Sequence, residues 1–214
     1  MITVSPRTID VRRLTFKQGI LAGAAIVAAF ILLCQFTMWP IAAVIIAAWT
    51  PWAYRYTLDL VKRDARLAIY FVFIALQNVH MCEHVAQMVQ IHILGRPFSA
   101  SHGIFGAVLD TETLHFAFDS LWIPGCMIYL LMLYDGRDKW LWILFPLAVW
   151  HCCEHIVIMD YYLRTGIVGS PGILASGGLI GSPLSRPDLH FIYNAIETWI
   201  MAKGFLGQNR EVQG

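Results

Sequence analysis

From Gly19 to Trp52 the chain contains no Asp, Glu, Lys, Arg or His. Other long apolar runs follow, and they limit what such a chain can fold into. About 20 apolar residues in a helix match the hydrocarbon thickness of a bilayer. Inside that hydrocarbon each backbone polar group needs an internal partner, so the spanning segments must be helices. Composition agrees: 58% of the 214 residues are hydrophobic and 14% charged, against about a quarter charged in soluble domains. The expected fold class is an all-α integral membrane protein. A net charge of +1, without a basic block, argues against a nucleic-acid partner; the bilayer itself is the expected partner.

Six spans are expected, at roughly 19–38, 41–58, 66–94, 111–134, 138–164 and 187–205. The first reads as a transmembrane helix rather than a cleaved signal, because the apolar run is too long for one. Pro40 favours a tight turn between the first two spans. Basic residues set the orientation. Arg7, Arg12, Arg13 and Lys17 precede span one; Lys62, Arg63 and Arg66 follow span two; Arg137 and Lys139 follow span four; Lys203 and Arg210 follow span six. Six spans place all these clusters on one side, so both termini are expected to be cytoplasmic, in a cell (inner) membrane. The five cysteines, Cys34, Cys82, Cys126, Cys152 and Cys153, form no C-x-x-C pair and are expected to be buried, reduced thiols.

An internal repeat is the second organising feature. His80-Met81-Cys82-Glu83-His84 matches His151-Cys152-Cys153-Glu154-His155. The loop Ala100–Gly106 is set beside Ala175–Gly181, and Leu114-His115-Phe116-Ala117-Phe118-Asp119 beside Leu189-His190-Phe191-Ile192-Tyr193-Asn194. The expected organisation is an N-terminal segment and hairpin (1–65), repeat unit 1 (66–136) and repeat unit 2 with a short tail (137–214). Each unit is helix, glycine-rich outer loop, helix. The two would be parallel repeats forming a four-helix bundle from spans three to six. The outer connections, about 95–110 and 165–186, read as lids or re-entrant segments.

The repeat also filters residues. His80, Glu83, His84 and His115 recur as His151, Glu154, His155 and His190, whereas His92, His102, Glu112 and Glu197 have no counterpart. Positions i, i+3 and i+4 share a helix face, and ionisable residues in lipid normally face a cavity and a partner. Neither of spans three and five offers a repeated Lys or Arg to pair with the glutamates. The eight repeated residues are therefore the expected metal ligands, in a layer near the outer face. Glu83 and Glu154 would bridge or orient, while Asp119 and Asn194 would hydrogen-bond the imidazoles from outside the ligand set. Imidazole with carboxylate suits iron or copper, with zinc possible.

The histidine-rich set resembles in kind the membrane histidine-box di-iron oxygenases, such as desaturases and alkane hydroxylases. Their boxes are of H-x-x-H-H type on the cytosolic side; these motifs carry Glu and lie toward the outside. The ligand set itself, rich in His with two carboxylates inside a four-helix bundle, points to an oxygen-activating or electron-transferring oxidoreductase acting on a small lipid-soluble or outer-face substrate. H-x-x-E-H also looks like an inverzincin signature, but a peptidase has no use for a symmetric second copy. Two further readings remain. One is a b-type haem protein, with His84 and His155, or His115 and His190, as axial ligands. The other is metal transport or handling, or an accessory subunit of a larger membrane complex.

Overall fold

The computed structural model describes residues 39–106 and 110–212. The first expected span, 19–38, and Cys34 lie outside the described residues. The described residues form five long helices: α1 (Trp39–Arg63), α2 (Ala65–Ile93), α3 (Glu112–Leu133), α4 (Lys139–Thr165) and α5 (Arg186–Glu211). There is no strand among the described residues. Three helices, α2, α3 and α4, are long and apolar enough to cross a membrane. α5 is as long, at 26 residues, but carries Asp188, Glu197, Lys203, Arg210 and Glu211.

The helix ends follow from local chemistry. Asp64 caps α2 by accepting from the Arg66 amide at 2.8 Å. Hydrogen bonds from the Arg66 side chain hold its carboxyl below the ordinary range. Asp138 caps α4 through the Trp140 amide, and Ser185 caps α5 through Asp188. α4 ends at Gly166, whose φ of 70° is the left-handed conformation that closes a helix.

α3 is not a uniform α-helix. Phe116–Trp122 forms a wide π-turn, and Pro124 follows it. Proline has no N–H for the carbonyl of Ser120, four residues back. That carbonyl instead accepts from the Cys152 thiol on α4, at 3.6 Å. Such bulges favour functional positions, and this one carries Asp119.

α2 packs on α5, α5 on α4 and α4 on α3, while α1 lies against α2. An apolar core fills the end of this assembly nearest the α1–α2 and α3–α4 turns. It includes Leu60, Leu67, Tyr70, Met127, Leu130 and Leu144. Beyond it the usual polarity is inverted. Leu121, Ile128, Met132, Ile143 and Ile156 are exposed, whereas His84, Asp119, His151, Glu154, His155 and Glu197 are buried. A polar interior inside an apolar exterior is the pattern for a chain solvated by lipid.

This inversion corrects the cysteine expectation. Of the four described cysteines only Cys126 is buried; Cys152 is half-buried, and Cys82 and Cys153 are exposed on the outward face. They stand two residues after His80 and His151, on the opposite side of each helix. All four described cysteines are free thiols.

Candidate metal centre

α2 and α4 present the same motif. The Nε2 atoms of His80 and His84 lie 3.2 Å apart, as do those of His151 and His155. Four-residue spacing stacks each pair on one helix face. His190, from the first turns of α5, brings its ring within 4.7 Å of His155 and 5.5 Å of His151. His151, His155 and His190 are buried with ligand atoms within 4.8 Å of one another, a group that could hold a metal ion. His115, from α3, lies 5.7 Å from the His80 ring and 5.8 Å from that of His84.

The π-turn places Asp119 between the two histidine pairs. Oδ1 is 3.3 Å from Nε2 of His80, and Oδ2 is 3.1 Å from Nε2 of His155. The side chain is 1% exposed, yet among the described residues neither oxygen makes an aligned hydrogen bond. A buried carboxylate left in that state is costly, unless a cation sits among the converging atoms.

Several imidazoles are oriented from behind. Nδ1 of His151 faces Glu197 Oε1 at 3.1 Å, Nδ1 of His84 faces Gln87 Oε1 at 3.0 Å, and Nδ1 of His115 faces the Thr111 carbonyl at 3.0 Å. Each oxygen accepts the Nδ1 proton, which leaves Nε2 with a free lone pair directed into the layer. Glu197 is fully buried and is a residue that the repeat-based reading set aside, because Trp122 stands at its counterpart. Its signal was in the sequence nonetheless: seven residues after His190 is two turns along the same face. Replacing it by glutamine keeps the shape and removes the charge. Glu197→Gln is expected to weaken metal binding about 10- to 100-fold, measured by competition with a chelator. Unchanged affinity would remove Glu197 from the site.

Glu83 and Glu154 stand apart from the histidine layer. Glu83 accepts from the amides of Ile104 and Phe105, at 2.8 and 3.1 Å. Glu154 accepts from Ile173 and Leu174, at 2.6 and 2.8 Å. One position before the histidine at i+4, they turn to the loops that follow α2 and α4 and pin them down. The Glu83 loop is also held by Gln90, which donates to the Gly103 carbonyl and accepts from its amide, both at 2.9 Å. Asn194 likewise misses the imidazoles. It donates to the backbone carbonyl of His190 at 3.0 Å, and its oxygen accepts from Gln77.

The loop correspondence also shifts. Gly172, not Gly178, occupies the place of Gly103: Ser101-His102-Gly103-Ile104-Phe105 and Ser170-Pro171-Gly172-Ile173-Leu174 wrap their glutamates alike. Sequence matching through the loop favoured small residues over the two amides that do the binding. Gly172 has φ +71°, and a Cβ there would lie 2.5 Å from Glu154 Oε2. Gly172→Ala is therefore expected to free this loop, at about 1–2 kcal/mol for the backbone alone. Faster protease cleavage within residues 166–185 would show it; cleavage at the native rate would mean that the loop tolerates a side chain.

Three other polar pairs tie the loop end together. His92 contacts Asp188 at 2.6 Å, His102 contacts Asp110 at 2.9 Å, and Arg186 clasps Glu112 with two hydrogen bonds of 2.6 and 2.5 Å.

With this geometry in view, the chain was compared with known proteins: no family model, no curated protein and no solved structure matches it.

Proposed function

We propose that this chain is a membrane-embedded oxidoreductase built around two transition-metal ions bridged by Asp119. One ion is held by His151, His155 and His190, the other by His80, His84 and His115. The observation that carries this reading is the Asp119 carboxylate, with one oxygen turned to each histidine pair and no aligned hydrogen bond to either. Carboxylate-bridged metal pairs within helical bundles are a recurrent oxygen-activating design, and imidazole ligands suit iron or copper above hard cations, with zinc also accommodated. The packing favours bare ions over haem. The ring centroids of His115 and His155, and of His84 and His190, are 6.3 Å apart, and Asp119 lies between the two histidine pairs.

In this reading six spans cross the inner membrane with both termini cytoplasmic, two repeated helix–loop–helix units face each other, and the metal layer lies toward the outer face. The matching hydrogen bonds of Glu83 and Glu154 support the repeat. Elemental analysis with optical and paramagnetic resonance spectra on detergent-purified protein tests the proposal. Two irons or coppers per chain with magnetic coupling are expected. A single uncoupled metal, zinc alone, or none after reconstitution would overturn it.

A further inference from the structure

Resting on the dinuclear reading, we infer that the substrate is a neutral, lipid-dissolved molecule with an apolar segment of roughly a dozen heavy atoms, reaching the metals sideways from the bilayer through a cavity between α2 and α3. A cavity of about 290 Å³ lies there. Its mouth is formed by Leu76, Val79 and Leu114, each about two-fifths exposed. They lie on helices apolar enough to cross a membrane, so the mouth opens to hydrocarbon. Its inner end is His80, His115 and Phe118. Two of these three are ligands proposed for one metal, so a molecule filling the cavity ends against the reactive layer.

The size follows from comparison. An apolar cavity of about 150 Å³ holds benzene, so twice that volume takes roughly a dozen carbon or similar atoms. The polarity of the wall sets the class. Among the described residues, apart from the two imidazoles the only polar lining side chain is Glu83, whose oxygens are engaged by loop amides. Those residues offer no charged partner for an ionic headgroup. A second cavity, lined by Asp110, Glu112, Arg186 and His102, shares His115 but is polar. His115 thus separates an oily approach from a watery one, and polar reactants have their own route.

The test is photolabelling in phosphatidylcholine vesicles with an apolar aryl diazirine, mapped by mass spectrometry. Labelling of Phe118 and His115 is expected to saturate, and 1-dodecanol to compete more strongly than 1-hexanol. Val79→Trp, which plugs the mouth, should abolish this inner labelling and leave background labelling of the lipid face. Leu114→Trp on the opposite lip provides the same block should the first variant fail to fold. Labelling that never saturates, or is unchanged in a correctly folded plugged variant, would overturn the cavity while leaving the metal assignment intact. Saturable labelling in protein that elemental analysis shows never binds metal would overturn the substrate assignment through failure of the dinuclear reading.

Discussion

Replacing Asp119 by asparagine is expected to empty both metal positions together. Each proposed ion takes one of its oxygens, so no single histidine has as wide a reach. An amide offers one neutral oxygen in place of two charged ones. Loss of an outer orienting partner alone costs 10- to 100-fold in affinity, so loss of the shared bridge should cost about 100-fold or more. The stability effect should change sign with metal. In metal-free protein, Asp119 is a buried carboxylate lacking an aligned hydrogen bond, and removing such a charge is neutral or stabilising. In metal-loaded protein the same substitution removes a ligand and should lower the melting temperature. Thermal denaturation of native and variant protein, with and without metal, gives the four values needed. A variant that destabilises both forms equally would mean that Asp119 belongs to a polar network and not to a metal pair.

The second large effect is expected at Glu154 and Glu83, and it is an effect on the loops. Each carboxylate accepts from two backbone amides, and hydrogen bonds to a charged group contribute about 1.5–3 kcal/mol each. Glu154→Ala should therefore weaken docking of its loop by roughly 3 kcal/mol or more. Amide exchange at Ile173 and Leu174 would then quicken by more than two orders of magnitude, since about 1.4 kcal/mol corresponds to tenfold. Glu83→Ala should do the same to Ile104 and Phe105. Bound metal should remain near the native amount in both. Metal loss with native exchange rates would reverse the assignment and return the glutamates to the ligand set that their spacing alone suggests.

That contrast marks where the sequence could be read and where it could not. Helices α2 to α4 begin and end within about one residue of the expected spans, because apolar runs, capping Asp and Ser, and Gly166 are local signals; α5 starts where expected but runs past 205 to Glu211. The histidine pairs were legible for a similar reason: four-residue spacing on a helix decides direction without tertiary information. Glu83 and Glu154 were not. A residue one position earlier points to the flank of that face, and whether it turns toward the layer or the loop depends on amides about twenty residues ahead. Asp119 was legible as a polar neighbour of His115 but not as a carboxylate standing between both histidine pairs. Its position depends on the π-turn, which no local sequence signal announces. Glu197 was hidden by the filter itself, since an orienting partner need not be repeated when only one half of the layer uses it.

The place of Asp119 on α3 also bears on how the protein is made. An aspartate at the centre of a membrane helix costs about 2.5–3.5 kcal/mol to insert alone. Its two imidazole neighbours come from different times in synthesis: His80 precedes it in α2, whereas His155 follows in α4. When α3 leaves the insertion machinery, only one of its two contacts exists. Insertion of α3 beside α2 is then the expected order, with Asp119 meeting its second imidazole only once α4 follows.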